Sequence, residues 1–544
     1  MRFLLGHTSL CIAVAFTLTA CNGQSGSTPK SKAPREGALR VAADAEPQSL
    51  DPQLTTGHTE HRILTSLFEG LTTLNQKTLE VEPGVAKTWE VSEDGKTYTF
   101  HLNPDAKWSD GTPMTANDFV YSYKRILSPK FAAEYSYMPW CIENAEAFNK
   151  GTIEDFAQVG VKAIDDATLE VKLAYPAPYF LSMQMHNAWF PVQQATIENH
   201  GKIDDRQSDW ILAGNMVSNG PFKLAEWKPN ELIRVVRNEH YWDAKNVKLN
   251  EIEFYPVNGN LQTAERMFRA GEVDTIETLV ITKVPVYKRD NPSVLKLEPF
   301  AGTYFYRMNV TRPPLDDPRV RLALAMSIDK ESVCNDVLFG AFTPANALTP
   351  PGLGGYTAEA GIPYDLAKAK ALLAEAGYPD GKGMRDIEIL YNESEDHQLV
   401  AEAVQDMWKK GLGINVVTNK QEWKVYLNSM TTLNYDVVRA GWIADFLDPM
   451  NYCECFTTGN GNNRTGWSNP QYDELERKAR HELDPKQRYA YMQEAEKLLL
   501  SQTPIIPIYT YRQRYLINSD LQGCDGNILN YMNYKYMSVT RNKS

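Results

Sequence analysis

From Asp365 to Tyr511, helical and extended stretches alternate, and this alternation constrains the chain more than any other feature. Asp365 to Ala376 reads as a helix closed by Gly377, Ile387 to Tyr391 as a strand, Gln398 to Lys410 as a helix closed by Gly411, and Ile414 to Thr418 as a strand. A helix over Glu422 to Met430, a strand from Tyr435, a helix from the Asp484-Pro485 cap to about Leu500 and a strand over Ile505 to Tyr511 complete the series. Strands spaced by such helices imply α/β domains with parallel or mixed sheets. With 544 residues, 43% of them hydrophobic and 11% aromatic, the chain can fill the cores of two to four domains.

The N-terminal half is less regular. Ile63 to Leu71 reads as a helix, and Leu74 to Gly111 has a β texture with a turn at Glu93-Asp94-Gly95-Lys96. Thr115 and Asp118 form a capping-box pair for a helix to Leu127. Thr303 to Asn309 is a strand dense in aromatics, and Asp316-Asp317-Pro318 opens a long amphipathic helix to about Phe339.

Arg2 and the apolar run Ile12 to Leu18 form a secretion signal too short to span a bilayer. Leu18-Thr19-Ala20-Cys21 resembles a bacterial lipobox, which makes residues 1–20 a signal peptide, Cys21 the lipid-bearing residue and 21–35 a flexible tether rich in Gly, Ser, Pro and Lys. This places the body in the periplasm or at the cell surface. A net charge of −12 argues against a nucleic-acid partner. Cys141, Cys334, Cys453, Cys455 and Cys524 remain beyond Cys21, an odd number that leaves at least one free or paired between chains. Cys453 and Cys455 lack a second Cys/His pair nearby, so no metal is expected, and no cofactor signature appears.

The stretch Tyr435 to Asp448 runs from a strand through Gly441 to the Asp448-Pro449 turn, and presents Arg439, Trp442, Asp445 and Asp448 close together. Such an end could hold a zwitterion; alternatively its charges are solvated. Asp445 and Asp448 could also serve a secreted hydrolase as a carboxylate pair. No His-Glu-x-x-His, Gly-x-Ser-x-Gly or phosphate-loop motif is present. His58, His61, His101, His186 and His240 stand singly and read as structural.

Several separated stretches together resemble the family 5 extracellular solute-binding proteins, and within them the periplasmic oligopeptide-binding proteins of ABC importers. The strongest is Trp89 to Pro113, with Ser92-Glu-Asp-Gly-Lys96 and Trp108-Ser-Asp-Gly-Thr-Pro113. Glu46-Pro-Gln-Ser-Leu-Asp-Pro52, Leu67-Phe-Glu-Gly-Leu71, Asp118 to Tyr123, Asn219-Gly220, Gln421-Glu-Trp423-Lys and Arg439-Ala-Gly-Trp442 with Asp445 support it along the mature chain. The resemblance implies an α/β, two-lobed periplasmic binding protein (type II, three-domain cluster C) with central mixed sheets and hinged lobes. Domain I would comprise 36–70, 195–296 and 513–544, domain II 71–194 and domain III 297–512, with hinges near 296 and 512. By the same resemblance Asp445 accepts the ligand's ammonium, and Arg439 and His397 meet its carboxylate. Tyr135, Trp423 and Trp442 line pockets. The strand holding Tyr304, Tyr306 and Arg307, and the segment with Asn219 and Gly220, pair with the peptide main chain. The implied partners are an oligopeptide, an ABC importer permease and, through Cys21, a membrane, with the protein a monomer; murein peptide, dipeptide, nickel chelate or oligosaccharide are alternative cargoes.

The chain also departs from that pattern. The third domain's first helix has no lysine over Glu331 to Phe339, where the family anchors longer peptides; Arg307 replaces a glutamate, which favours acidic side chains nearby; and Gly302 and Ile443 replace a cysteine pair.

Overall fold

The computed structural model describes residues 36–541. Eleven strands, numbered in chain order, share one sheet: β1 (Ala38–Ala43), β2 (Phe222–Lys228), β3 (Leu232–Arg237), β4 (Glu251–Pro256), β5 (Thr275–Ile276), β6 (Leu295–Met308), β7 (Thr343–Pro344), β8 (Ile387–Asn392), β9 (Val416–Gln421), β10 (Val437–Ile443) and β11 (Ile505–Ile517). Their order in space is β9-β8-β10-β6-β11-β5-β1-β4-β3-β2, with β7 beside β11. The sheet is mixed: β1 runs parallel to β4 and β8 to β9, while β6 is antiparallel to both β10 and β11.

The long strands β6 and β11 carry the sheet from one half of the molecule to the other. Their lower parts pair Leu295 with Leu516 and Pro299 with Arg512, and their upper parts pair Thr303 with Thr510 and Arg307 with Ile505. Between Pro299 and Thr303 the register breaks. Proline cannot donate to the ladder, so the interruption falls where Pro299 stands. Two lobes lie on either side of this crossing.

One core forms where β1, β3 and β4 (Leu39, Val41, Ile233, Val235, Ile252, Phe254) meet helix α1 (His58–Leu67) through Ile63, Leu64 and Leu67. A second packs β8, β10 and β11 against three helices, with Leu324, Leu373, Val404 and Trp408 fully or almost fully buried. The third starts under a separate four-stranded antiparallel sheet (residues 86–91, 97–102, 161–165 and 168–172) and continues to the helices spanning 470–502. Helix α2 (Ala116–Leu127) covers it, begun by the expected capping box, in which Asp118 Oδ2 accepts from Thr115 N at 2.7 Å. Tyr179 stacks on Phe446 at 4.5 Å, so this core ties the lobes together.

Three expectations change. The helix expected from Pro318 to Phe339 stops at Met326, and the chain restarts at Lys330 with Asp329 accepting from Ser332 N, before a π-turn over Val333–Val337. Apolar periodicity persists across that break, which is why it was invisible in the pattern. Helix α3 (Glu395–Leu412) passes through Gly411 and ends at Gly413, whose φ of +72° suits a residue without Cβ. The helix expected over Ile63 to Leu71 instead spans His58 to Leu67. All five described cysteines are free, four of them buried. Gly302 and Ile443 face each other across β6 and β10.

Candidate functional site

A cleft of about 600 Å³ opens between the lobes. One wall comes from Thr56 to His61 at the start of α1, from Tyr135 and Tyr137, and from Met185 to Asn187; the other comes from the end of β10, Arg439 to Asp445, with Tyr511 and Phe300.

Asp445 marks one end. It sits just past β10, where the chain leaves the sheet, and its own N–H is held by Asn451 Oδ1 at 3.2 Å, the atom that also accepts from Trp442 Nε1 at 2.8 Å. Tyr137, from the opposite lobe, donates its hydroxyl to Asp445 Oδ2 at 3.2 Å. No cation of the described residues pairs with this carboxylate. Although its face toward the cleft is open, the surrounding protein raises its pKa to about 6, through burial against the opposing hydrogen bonds of Tyr137 and Asn451.

Arg439 marks the other end. Nη2 donates to Tyr511 Oη at 2.9 Å and Nη1 to Asn392 Oδ1 at 3.3 Å, the guanidinium lies 5.2 Å from the centre of the Tyr304 ring, and Nε has no partner among the described residues. Among the described residues no carboxylate lies within ion-pair distance of it. A guanidinium so placed retains its charge and lacks only an anion.

Between these ends β10 offers an open edge. β8 pairs with it only at Val437 and Val438. Ala444 N bonds to Ala301 O, so by the alternation of an antiparallel ladder the even-numbered residues of β10 face β6, and Gly441 and Ile443 turn their N–H and C=O groups toward the cleft. A Cβ on Gly441 would lie 2.7 Å from Tyr511 Oη, so any larger residue would have to push that hydroxyl away from its place beside Arg439.

The other expected site residues divide. Tyr135 and Trp442 line the cleft. His397 stands behind Tyr304, with ring centres 5.6 Å apart, and its pKa falls to about 2 through burial and then through Arg439 and Arg514, which leaves the imidazole neutral. Trp423 is half-exposed and stacks on Tyr426 outside the cleft walls. Main-chain pairing along Tyr304, Tyr306 and Arg307 is corrected: β6 is already paired on both edges, with β10 and β11, and Tyr304 and Tyr306 are fully buried. The same holds at Asn219 and Gly220, whose polar groups bond to Glu69 and Leu67 within the chain. Arg307 is buried, donating to Met430 Sδ and to the carbonyl of Asn462, a cleft residue. Asp448 is not a partner for Asp445 in hydrolysis, because Arg488 grips both of its oxygens, at 2.7 and 2.8 Å, in a buried pair.

Sequence reasoning missed Tyr137, Tyr511, Phe300 and the histidines. His58, His61 and His186 are not isolated: His61 and His186 stack at 5.7 Å, Tyr135 packs edge-on to His186, and all three histidines border the cleft. Burial lowers their pKa values, that of His61 to about 4, so they present neutral rings. Residues 56–61, 135–137 and 185–187 carry no shared local signal; only folding assembles them. Among the described residues, no group of His, Cys, Asp and Glu is arranged to hold a metal ion.

Residues 80–464 match the family described as bacterial extracellular solute-binding proteins, family 5 Middle. The chain belongs to this family. It is 36% identical to the dipeptide-binding protein DppE of Bacillus subtilis, over 97% of each chain. Among solved structures it resembles the Escherichia coli murein tripeptide binding protein MppA (37% identity, TM-score 0.80, 93% of this chain and 99% of that one). It also resembles Haemophilus influenzae OppA in complex with RPPGFSPFR (32% identity, TM-score 0.78, 94% and 100%). Membership explains the two lobes and the cleft between them.

Proposed function

We propose that this protein captures oligopeptides in the cleft and delivers them to an ABC importer, without catalysis. The observation that carries this reading is the polarity of the cleft: among the described residues, a carboxylate with no cation at Asp445, a guanidinium with no carboxylate at Arg439, and an open strand edge between them. An extended chain with an ammonium at one end and a carboxylate at the other is its complement. Asp445 accepts the ammonium, Arg439 meets the carboxylate of a short peptide, and Gly441 and Ile443 bond to its main chain. His397 contributes only if an arriving carboxylate restores its proton. Tyr135 and Trp442 supply apolar walls that demand no particular side chain. Arg307 supplies positive charge behind Asn462 for an acidic side chain. The peptide cargoes named for the relatives support the same reading.

The domains follow as 36–70 with 195–296 and 513–544, 71–194, and 297–512, hinged near 296 and 512, where β6 and β11 cross. Residues 1–35, with the signal, Cys21 and the tether, lie outside the described residues; a lipid on Cys21 holds the monomer at a membrane in the periplasm or at the cell surface. Native mass spectrometry of the purified protein tests the cargo: peptides with free amino termini are the expected co-purifying species, and a sugar or nickel chelate in their place overturns the reading.

Affinity also depends on pH. Only the ionised form of Asp445 attracts an ammonium, so binding is full above its pKa of about 6 and weakens about tenfold per pH unit below it. It weakens again above roughly pH 8, where a free α-amino group loses its proton. Calorimetric titration across that range checks this, and constant affinity on the acid side contradicts it.

A further inference from the structure

A second cavity, of about 710 Å³, adjoins the first. Phe300 and Tyr511 stand in the walls of both, and Ile528 of the second is followed in sequence by Leu529 and Asn530 of the first, so the two share a wall. Tyr511, which accepts from Arg439 at the end of the first cleft, therefore also stands at the boundary of the second.

Length gives the second cavity a use. From Arg439 to Asp445 is six residue steps, about 20 Å at most at the rise of a strand, which an extended peptide of roughly six residues fills. A longer peptide held by its ammonium at Asp445 and extended beyond Arg439 reaches Tyr511, the wall that the two cavities share. There the walls are Pro344, Ala347, Pro350 and Ala358, small or rigid groups that accept varied side chains, with Glu359 at the exposed rim. Arg512 also lines this space. Its Nη2 donates to the carbonyl of Leu297, and no carboxylate of the described residues pairs with it. Burial, and then the charge of Arg512, lowers the pKa of nearby Lys288, which has no carboxylate partner among the described residues.

We propose that the second cavity seats the C-terminal overhang of captured peptides longer than about six residues, with Arg512 as the counter-charge for their terminal carboxylate. The inference rests on the peptide-binding reading above. An overhang of this kind gains apolar contact along the walls and one charge-assisted bond at its end.

Calorimetry with two mixed-sequence pools, tripeptides and peptides of about ten residues, tests it on the wild type, Arg512→Gln and Ala358→Trp. Ala358→Trp, which fills the cavity, is expected to weaken the long pool at least about tenfold and leave the tripeptides alone. Arg512→Gln is expected to weaken the long pool about tenfold, and amidating the long peptides to cause the same loss in the wild type but no further loss in this variant. Long peptides that bind Ala358→Trp as they bind the wild type overturn the cavity assignment, and amidated long peptides that bind the wild type as well as free ones overturn the role of Arg512. If neither pool binds the wild type, the peptide reading itself fails, an outcome separate from tripeptides binding while long peptides ignore both substitutions.

Discussion

Asp445→Asn is expected to weaken peptide binding roughly 30-fold to several-thousand-fold, the equivalent of about 2 to 5 kcal/mol for one partner of a charge pair enclosed by protein. Asparagine keeps the shape and can still accept from Tyr137, so the variant removes charge and little else. Acetylating the peptide's amino terminus produces the same loss from the ligand's side, because the ammonium becomes a neutral amide. Acetylated peptide should bind the wild type and Asp445→Asn about equally, since neither complex contains the pair. The size of the effect follows from the setting: Asp445 has no cation among the described residues, and the surrounding protein already makes its ionised form costly, as the raised pKa shows. An ammonium that stabilises this carboxylate reverses that cost. Equal affinity of free and acetylated peptides for the wild type would remove Asp445 from the proposed role.

Asp51→Ala is expected to destabilise the fold by about 3 to 5 kcal/mol, because it leaves a buried guanidinium uncompensated. Arg125, in α2, is completely buried, and its Nη1 and Nη2 donate to the two oxygens of Asp51 at 3.1 and 2.6 Å. The same guanidinium donates to Gln53 Oε1 and the carbonyl of Ile203, and lies 4.0 Å from the centre of the Phe131 ring. One arginine thus joins residues 51–53, α2 and the 203 loop. The denaturant midpoint of the variant should fall clearly below that of the wild type, while Arg125→Met with Asp51→Leu, which removes both charges, should recover part of the loss. An unchanged midpoint for the single substitution would show that water or a rearranged neighbour compensates Arg125.

These two aspartates show how unevenly the chain could be read. Asp445 stood out because a strand end, a glycine, an arginine and a tryptophan lie within a few residues of it. Asp51 stands directly before Pro52 in the Glu46–Pro52 stretch, and nothing nearby identifies a partner 74 positions away in α2. Asp448 looked equivalent to Asp445 and proved to be a buried structural ion pair with Arg488. Its partner lies on a helix 40 residues on, so local composition could not separate the two.

Periodicity and caps determined most of the elements: the alternation from Asp365 onward, the capping box at Thr115, and the strand that brings Arg439 toward Asp445. These are local effects, in which a residue's neighbours one turn or one pleat away decide its conformation, and the chain records them directly. The tertiary structure alone decided that β6 is paired on both edges, which turns the main-chain bonding surface from Tyr304–Arg307 to Gly441 and Ile443. It alone brought Tyr137 to Asp445, Tyr511 to Arg439 and three histidines to one cleft. Pairing between distant strands and contact between lobes depend on which surfaces the whole fold buries together, a quantity that no window of sequence contains.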